Sequence, residues 1–223
     1  MQDPNFVKDA FSKIADRYVL TNHVLSLGTD ILWRKRVGKI VNDWRPKDIL
    51  DIATGTGDLA LEMQKVCDDA NLIASDFCPE MLAHASRRGV KNTQVVDAMN
   101  MPFEDHSCDV LTVAFGLRNM ADYAGALKEM HRVIRPGGHL LVLDFSPPDG
   151  ILRKPYGIYL NKILPKIAGM LTSQEEAYSY LAGSIGDFPS GDAMCELIGS
   201  QGFKEPRREA LSGGIASIYT AEA

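Results

Sequence analysis

Two aspartates flank a glycine-rich turn in this sequence, two more close later apolar runs, and their spacing suggests what they hold. The stretch DIATGTGDLA, residues 51–60, sets Asp51 and Asp58 on either side of Gly55-Thr56-Gly57. Asp76 comes 19 residues after Gly57, and Asp97 closes the run TQVVDA further on. Glycines let a backbone take unusual dihedrals and let a ligand come close. A pyrophosphate would use such a turn together with the positive helix end behind it. Here a carboxylate at roughly 6 Å, with an effective dielectric near 20, would cost that anion about 3 kcal/mol. A cationic ligand reverses the sign.

S-adenosylmethionine meets that requirement, with a sulfonium, an ammonium and no phosphate. Asp76 is placed to accept bonds from ribose hydroxyls, a feature it would share with nicotinamide-dependent oxidoreductases. Asp97 can receive the adenine amino group, and Ala98 offers a backbone amide. Asp51, Gly55, Thr56 and Gly57 complete the expected cofactor set. Asp58 is expected either to face the cofactor's ammonium or to cap the following helix.

These residues must stand at strand ends, and the chain's rhythm supplies the strands. Apolar runs DILDIA, NLIASD, TQVVDA, DVLTVAF and HLLVLDF alternate with amphipathic stretches of helix length, the mark of βαβ units. Helical stripes are expected at Leu59-Met63-Val66, after Pro79, and at Tyr123-Leu127-Met130-Ile134, the last ended by Arg135-Pro136-Gly137-Gly138. Ser190 can cap a helix carrying Met194, Leu197 and Ile198, with Gly202 as its stop. Runs EPRREAL and IASIYTAEA around Ser212-Gly213-Gly214 read as a closing pair of strands. The expected fold is α/β, a seven-stranded, mostly parallel, Rossmann-like sheet with helices on both faces. One domain spans 1–223, with N-terminal helices over 1–45 (spacing at Val7, Phe11, Ile14 and Tyr18, then ILWRKRVGKIV) and a helical insertion over 150–188 after the fifth strand.

Bulk properties narrow the partners. The 223 residues are 45% hydrophobic and 24% charged, with a net charge of −5, which weighs against nucleic acid. No apolar run is long enough to span a bilayer, and no signal segment opens the chain. Cys67, Cys78, Cys108 and Cys195 form no C-x-x-C pair. They suit a reducing cytoplasm and no metal site. Residues 150–173 hold four basic residues, no acid and many large apolar ones. They read either as an ordinary helical excursion or as a lid meeting a lipid-like substrate at an anionic membrane surface. Arg34, Lys35, Arg36 and Lys39 can add to such a surface, and self-association is the other use of an apolar exterior.

Longer motifs carry a family resemblance: SDFCPEML (75–82), DAMNMPFEDHSCDVLTVAFGLRNM (97–120), RVIRPGGHLLVLDFSPP (132–148), AYSYLAGSIGDFP (177–189) and LSGGIASIY (211–219). With DIATGTGDLA they make the chain resemble the class I methyltransferases of the UbiE/MenG type, which C-methylate quinone precursors. The resemblance implies cofactor contacts at Thr56, Asp76 and Asp97-Ala98. It also implies methylation of a ring carbon on a reduced polyprenyl naphthoquinol, demethylmenaquinol to menaquinol; a polyprenyl benzoquinol or another small aromatic acceptor is the competing reading. The mechanism it implies needs alignment of the methyl group with the attacking carbon and removal of a phenolic proton. Arg118 and Asn119 are the expected catalytic pair. Arg118, always charged, would steady a phenolate, and Asn119 would hold a hydroxyl or a water. Tyr178, Tyr180 and His23 are further substrate-side candidates. Ala114 stands where some members carry a serine, Asp30-Ile31 where they carry histidine–arginine, and Val19 where they carry aspartate. Two further alternatives are a nicotinamide-dependent oxidoreductase, which would need a turn free of repelling carboxylates, and a cofactor-binding protein without catalysis.

Overall fold

A computed structural model describes residues 26, 28–148, 150, 156–157 and 188–223. The first expected helix, nearly all of the 150–188 segment, and His23, Tyr178 and Tyr180 lie outside them. The described chain runs α1 (Asp30–Asp43), β1 (Asp48–Ile52), α2 (Asp58–Val66), β2 (Asn71–Asp76), α3 (Pro79–Arg87), β3 (Thr93–Val95) and β4 (Cys108–Ala114). A short 3-10 turn (Leu117–Asn119) precedes α4 (Tyr123–Val133), β5 (Ile134–Phe145), α5 (Asp192–Ser200), β6 (Lys204–Leu211) and β7 (Ala216–Glu222).

The strands form one seven-stranded sheet in the order β3-β2-β1-β4-β5-β7-β6. The first five are parallel, and β7 lies antiparallel between β5 and β6. Central strands are buried on both faces, which is why DILDI and HLLVLDF read as nearly continuous apolar runs. Alternation along β5 divides two cores. Leu141, Leu143 and Phe145 pack with Trp33, Val37 and Met63 on the face carrying α1 and α2. Leu140 and Val142 pack with Leu127, Met130 and Ile198 on the face carrying α4 and α5. Pro206 and a register slip between Lys204 and Arg207 sit on the edge strand β6, where proline is tolerated.

Pro79 opens α3 as expected, and the Asp122 carboxylate caps α4 by accepting from the Gly125 amide at 2.9 Å. Two local expectations are corrected. Ser190 does not cap α5: Gly191 takes that position at φ +63°, and its amide donates to the Tyr219 hydroxyl at 2.9 Å. Arg135–Gly138 does not merely stop α4 but is drawn into β5, whose pairing with β4 slips between Cys108 and Val110. Among the described residues no helix is long and apolar enough to cross a membrane.

Candidate active site

Strand order reverses between β1 and β4, and sheets of this kind bind ligands beyond the C-terminal strand ends at that point. A cleft of about 190 Å³ opens there, lined from the ends of β1, β2, β3 and β4. Two strand ends are pressed together in its wall, since a Cβ on Gly116 would stand 2.5 Å from the Cβ of Ala53. Ala53 and Phe115 hold left-handed backbone, at φ +53° and +57°. Such a conformation costs a non-glycine residue on the order of 1–3 kcal/mol and concentrates at functional sites.

Asp76 ends β2 in the cleft. Its Oδ2 accepts from the Gly55 amide at 2.8 Å and its Oδ1 from the Cys78 amide at 2.9 Å. A carboxylate has about four acceptor sites, so a ligand hydroxyl can add to the bonds from these amides and that of Phe77. Burial pushes the Asp76 carboxyl up, and the amides of Cys78, Gly55 and Phe77 pull it back. After β3, Asp97 and Ala98 also line the cleft, with the Asp97 carboxylate accepting from the Met99 amide at 2.9 Å. Arg132 of α4 steadies the loop that follows, donating to the main-chain oxygens of Met101 at 3.2 Å and Phe103 at 2.9 Å.

Apolar walls complete the cleft. Phe77 and Met99 face it while remaining 46% and 37% exposed, and Met81 and Val96 back them. Sequence reasoning passed over Phe77 and Met99, although each lies within two residues of an expected binding acid. No Lys, Arg or His stands among the described residues lining this cleft, whereas two aspartates do. That balance, with flat apolar walls, fits a nucleoside bearing positive charge and opposes a pyrophosphate.

The remaining expected site residues separate by depth. Asn119 lines the cleft. Its amide nitrogen donates to the Phe115 carbonyl at 3.2 Å, and its Oδ1 is buried with no partner among the described residues. An unmet buried acceptor costs about 1–3 kcal/mol, which a donor on a ligand or water would recover. Arg118 does not line the cleft. It is 3% exposed, and one guanidinium nitrogen donates to Asp144 at 2.6 Å and to the Phe115 carbonyl at 2.8 Å. Thr56 and Gly57, though part of the turn, do not line the cleft, and Thr56 donates its hydroxyl to Asp58 at 2.9 Å. Asp58 is ion-paired to Arg88 at 2.7 Å. Burial works against its charge, but Arg88, Arg34 and Thr56 together hold the carboxyl below the ordinary range.

Asp51 belongs to a second, smaller cleft on the α1–α2 side of the turn. It is 1% exposed and accepts from the Thr54 and Thr112 hydroxyls, both at 2.6 Å. Arg34, Thr54 and Asp58 share that cleft, and Ala53 and Phe115 line both. Of the four basic residues of α1, Arg34 is therefore turned inward. Arg36 is clamped by two 2.8 Å bonds to Glu209, and Lys39 faces Asp43 at 3.7 Å.

Burial pushes the Asp51 carboxyl up to about 6, against the pull of its two hydroxyl partners and Arg34, with Asp76 adding to the rise. Against an ordinary value of 3.8, this corresponds to about 3 kcal/mol. Because the folded value is the higher one, the native state holds the proton more tightly than the unfolded chain. Stability from this group is full below about 4 and is lost as pH rises through 6. Ligand affinity has the opposite sense, since a cation is attracted only by ionised Asp51. Titration calorimetry should show S-adenosylmethionine affinity falling several-fold from pH 7.5 to 5.5, while that of uncharged 5′-methylthioadenosine stays level.

Comparisons with known proteins agree with this architecture. The model of the ubiE/COQ5 methyltransferase family matches residues 1–222. A demethylmenaquinone methyltransferase of Thermus thermophilus is 41% identical over 218 residues, covering 95% of this chain and 99% of that one. A ubiquinone/menaquinone biosynthesis C-methyltransferase, UbiE, of Bdellovibrio bacteriovorus is 40% identical over 227 residues, covering 97% and 95%. Among solved structures, a SAM-dependent methyltransferase of Thermotoga maritima, described as a possible histamine N-methyltransferase, superposes with a TM-score of 0.69. It is 17% identical and covers 96% of this chain and 98% of its own, a likeness of fold. By the family match and by relatives of this identity over nearly the full length, the chain belongs to the ubiE/COQ5 methyltransferase family.

Proposed function

We propose that the protein transfers a methyl group from S-adenosylmethionine to a ring carbon of a reduced polyprenyl quinone precursor, with demethylmenaquinol as the acceptor and menaquinol as the product. The observation that carries this reading is the cleft at the strand reversal, acidic, apolar-walled and free of cations among its described lining residues. Two relatives named for quinone methylation support the choice of acceptor class. When bound, the cofactor supplies an activated methyl group on a positive sulfur and leaves as S-adenosylhomocysteine.

The chain's own residues bind, orient and keep water out. Asp76 would accept from the ribose hydroxyls, Asp97 from the adenine amine, and the Ala98 amide would donate to the ring. Phe77 and Met99 would cover the base. Asn119 Oδ1, buried and lacking a partner among the described residues, receives the phenolic hydroxyl of the acceptor or a water bound to it. That fixes the ring over the methyl donor, and good orientation can supply roughly 7–11 kcal/mol of such a barrier. Arg118, committed to Asp144, acts in this scheme as a positioning residue. It holds the Phe115 carbonyl and so the turn that presents Asn119.

The same reading includes peripheral contact with the membrane that carries the prenyl tail. Ile31 and Leu32 support it, being 47% and 64% exposed at the start of α1, with exposed Lys35 one turn on. Purified protein should move label from methyl-labelled S-adenosylmethionine into menaquinol when given demethylmenaquinol in detergent. Label entering only a benzoquinol acceptor would reassign the substrate. Cofactor binding without transfer to either quinol would overturn the enzymatic reading.

A further inference from the structure

The smaller cleft is built for charge of both signs. Asp51 and Asp58 contribute carboxylates, Thr54 a hydroxyl, and Arg34 a guanidinium from α1 on the far side. Arg34 is 7% exposed. One of its nitrogens donates to the buried Asp30 carboxylate, and the group lies 5.5 Å from the centre of the Phe115 ring. A guanidinium carries five donors in a fixed fork matched to carboxylates, so Asp30 engages only part of it. Helix α1 is itself held firmly. Trp33 donates its indole N–H to Ser212 at 3.0 Å and packs on Phe115 and Phe145, with ring centres 6.3 and 6.0 Å away. A buried cation on a fixed helix, facing two carboxylates, presents the complement of a zwitterion.

The two clefts meet at Ala53 and Phe115, which line both. A ligand with its nucleoside in the larger cleft would have the smaller one within reach of its amino-acid end. We infer that Arg34 binds the carboxylate of the cofactor's methionine moiety, the ammonium lying toward Thr54 and Asp51, so that α1 forms part of the cofactor site. The inference rests on the cofactor assignment proposed above. It gives α1 a task separate from packing: the charge that selects a complete amino-acid tail comes from outside the glycine turn.

Ligand truncation tests this without altering the fold. Decarboxylated S-adenosylmethionine keeps the sulfonium and the ammonium but lacks the carboxylate. By titration calorimetry the wild-type protein should bind it about 30-fold or more weakly than the intact cofactor. In Arg34→Met that difference should collapse to about twofold, with Arg34→Lys intermediate, because lysine keeps the charge and loses the fork. Binding of 5′-methylthioadenosine, which has no amino-acid tail, should change by less than about twofold in both variants. Equal affinity of the wild type for the intact and decarboxylated cofactors would overturn the inference. So would parallel losses for all ligands in Arg34→Met, the result of a purely structural role. Arg34→Met leaves the Asp30 carboxylate buried, with the Ser26 hydroxyl still donating to it at 2.7 Å, so the wild-type comparison stands even if the variant folds poorly. Failure of the wild type to bind any of the three ligands would instead sink the cofactor assignment.

Discussion

Arg118→Met should lower the melting temperature of the protein by roughly 10 °C, a larger effect than loss of a surface charge could give. Arg118 and Asp144 are each 1% exposed at the side chain and meet at 2.6 Å. Asp144 also accepts from the Phe145 amide at 2.8 Å. Burial pushes its carboxyl up, and Arg118 pulls it back toward the charged form. Removing one member of a buried pair leaves an uncompensated charge and costs about 3–5 kcal/mol, which in a chain of this size means roughly 2–4 °C per kcal/mol. Replacing both members with apolar residues of similar volume is often neutral. Arg118→Met/Asp144→Leu should therefore recover most of the stability seen by differential scanning calorimetry. The double variant also separates positioning from direct chemistry. If Arg118 acts only by holding the Phe115–Asn119 turn, the repacked protein should keep measurable methyl transfer, with the loss mainly in kcat. A fully stable double variant with transfer abolished would show that the guanidinium itself serves the acceptor ring.

Most of the sheet was legible because its strands declare themselves locally. DILDI, NLIASD and HLLVLDF are short, apolar and bounded by turn residues, and each lies where the rhythm put it. The acids at Asp76 and Asp97 were legible for the same reason, being the polar residues that close apolar runs. The rest depends on contacts distant in sequence. Arg34 reads as one of four basic residues on an amphipathic helix, and its inward place shows only in its contacts with Asp30 and the Phe115 ring. Arg118 and Asn119 are neighbours in the chain, yet the tight turn buries one against Asp144 and brings the other to the cleft. Nor can any local pattern announce that Ala53 and Phe115 take left-handed backbone, since neither residue type prefers it. Ser190 failed as a cap because the helix starts one residue later than the spacing suggested, with Gly191 in the cap position at φ +63° and its amide turned to the distant Tyr219 hydroxyl.

Gly57→Ala should damage the cofactor turn severely, lowering stability by about 2–4 kcal/mol and weakening S-adenosylmethionine binding at least tenfold. Two separable causes act there. Gly57 sits at φ +83° as the residue before α2, a conformation costing a non-glycine residue roughly 1–2 kcal/mol. The new Cβ would also stand 2.5 Å from Val90 Cγ2 and 3.1 Å from the Ala85 Cβ, and overpacking of this kind typically costs about 1–3 kcal/mol. Val90 can rotate, but the Ala85 methyl cannot, so part of the clash must move the turn itself. That motion reaches the cleft, because the Gly55 amide two residues earlier is bonded to Asp76, which lines it. A double-mutant cycle with Val90→Ala resolves the causes. Relief of the contact should make the two changes less than additive by about 1 kcal/mol, leaving the dihedral cost in place. Strict additivity would mean that backbone conformation alone requires glycine there. A fully stable Gly57→Ala with normal cofactor affinity would show that α2 can pull away from α3 without disturbing the site.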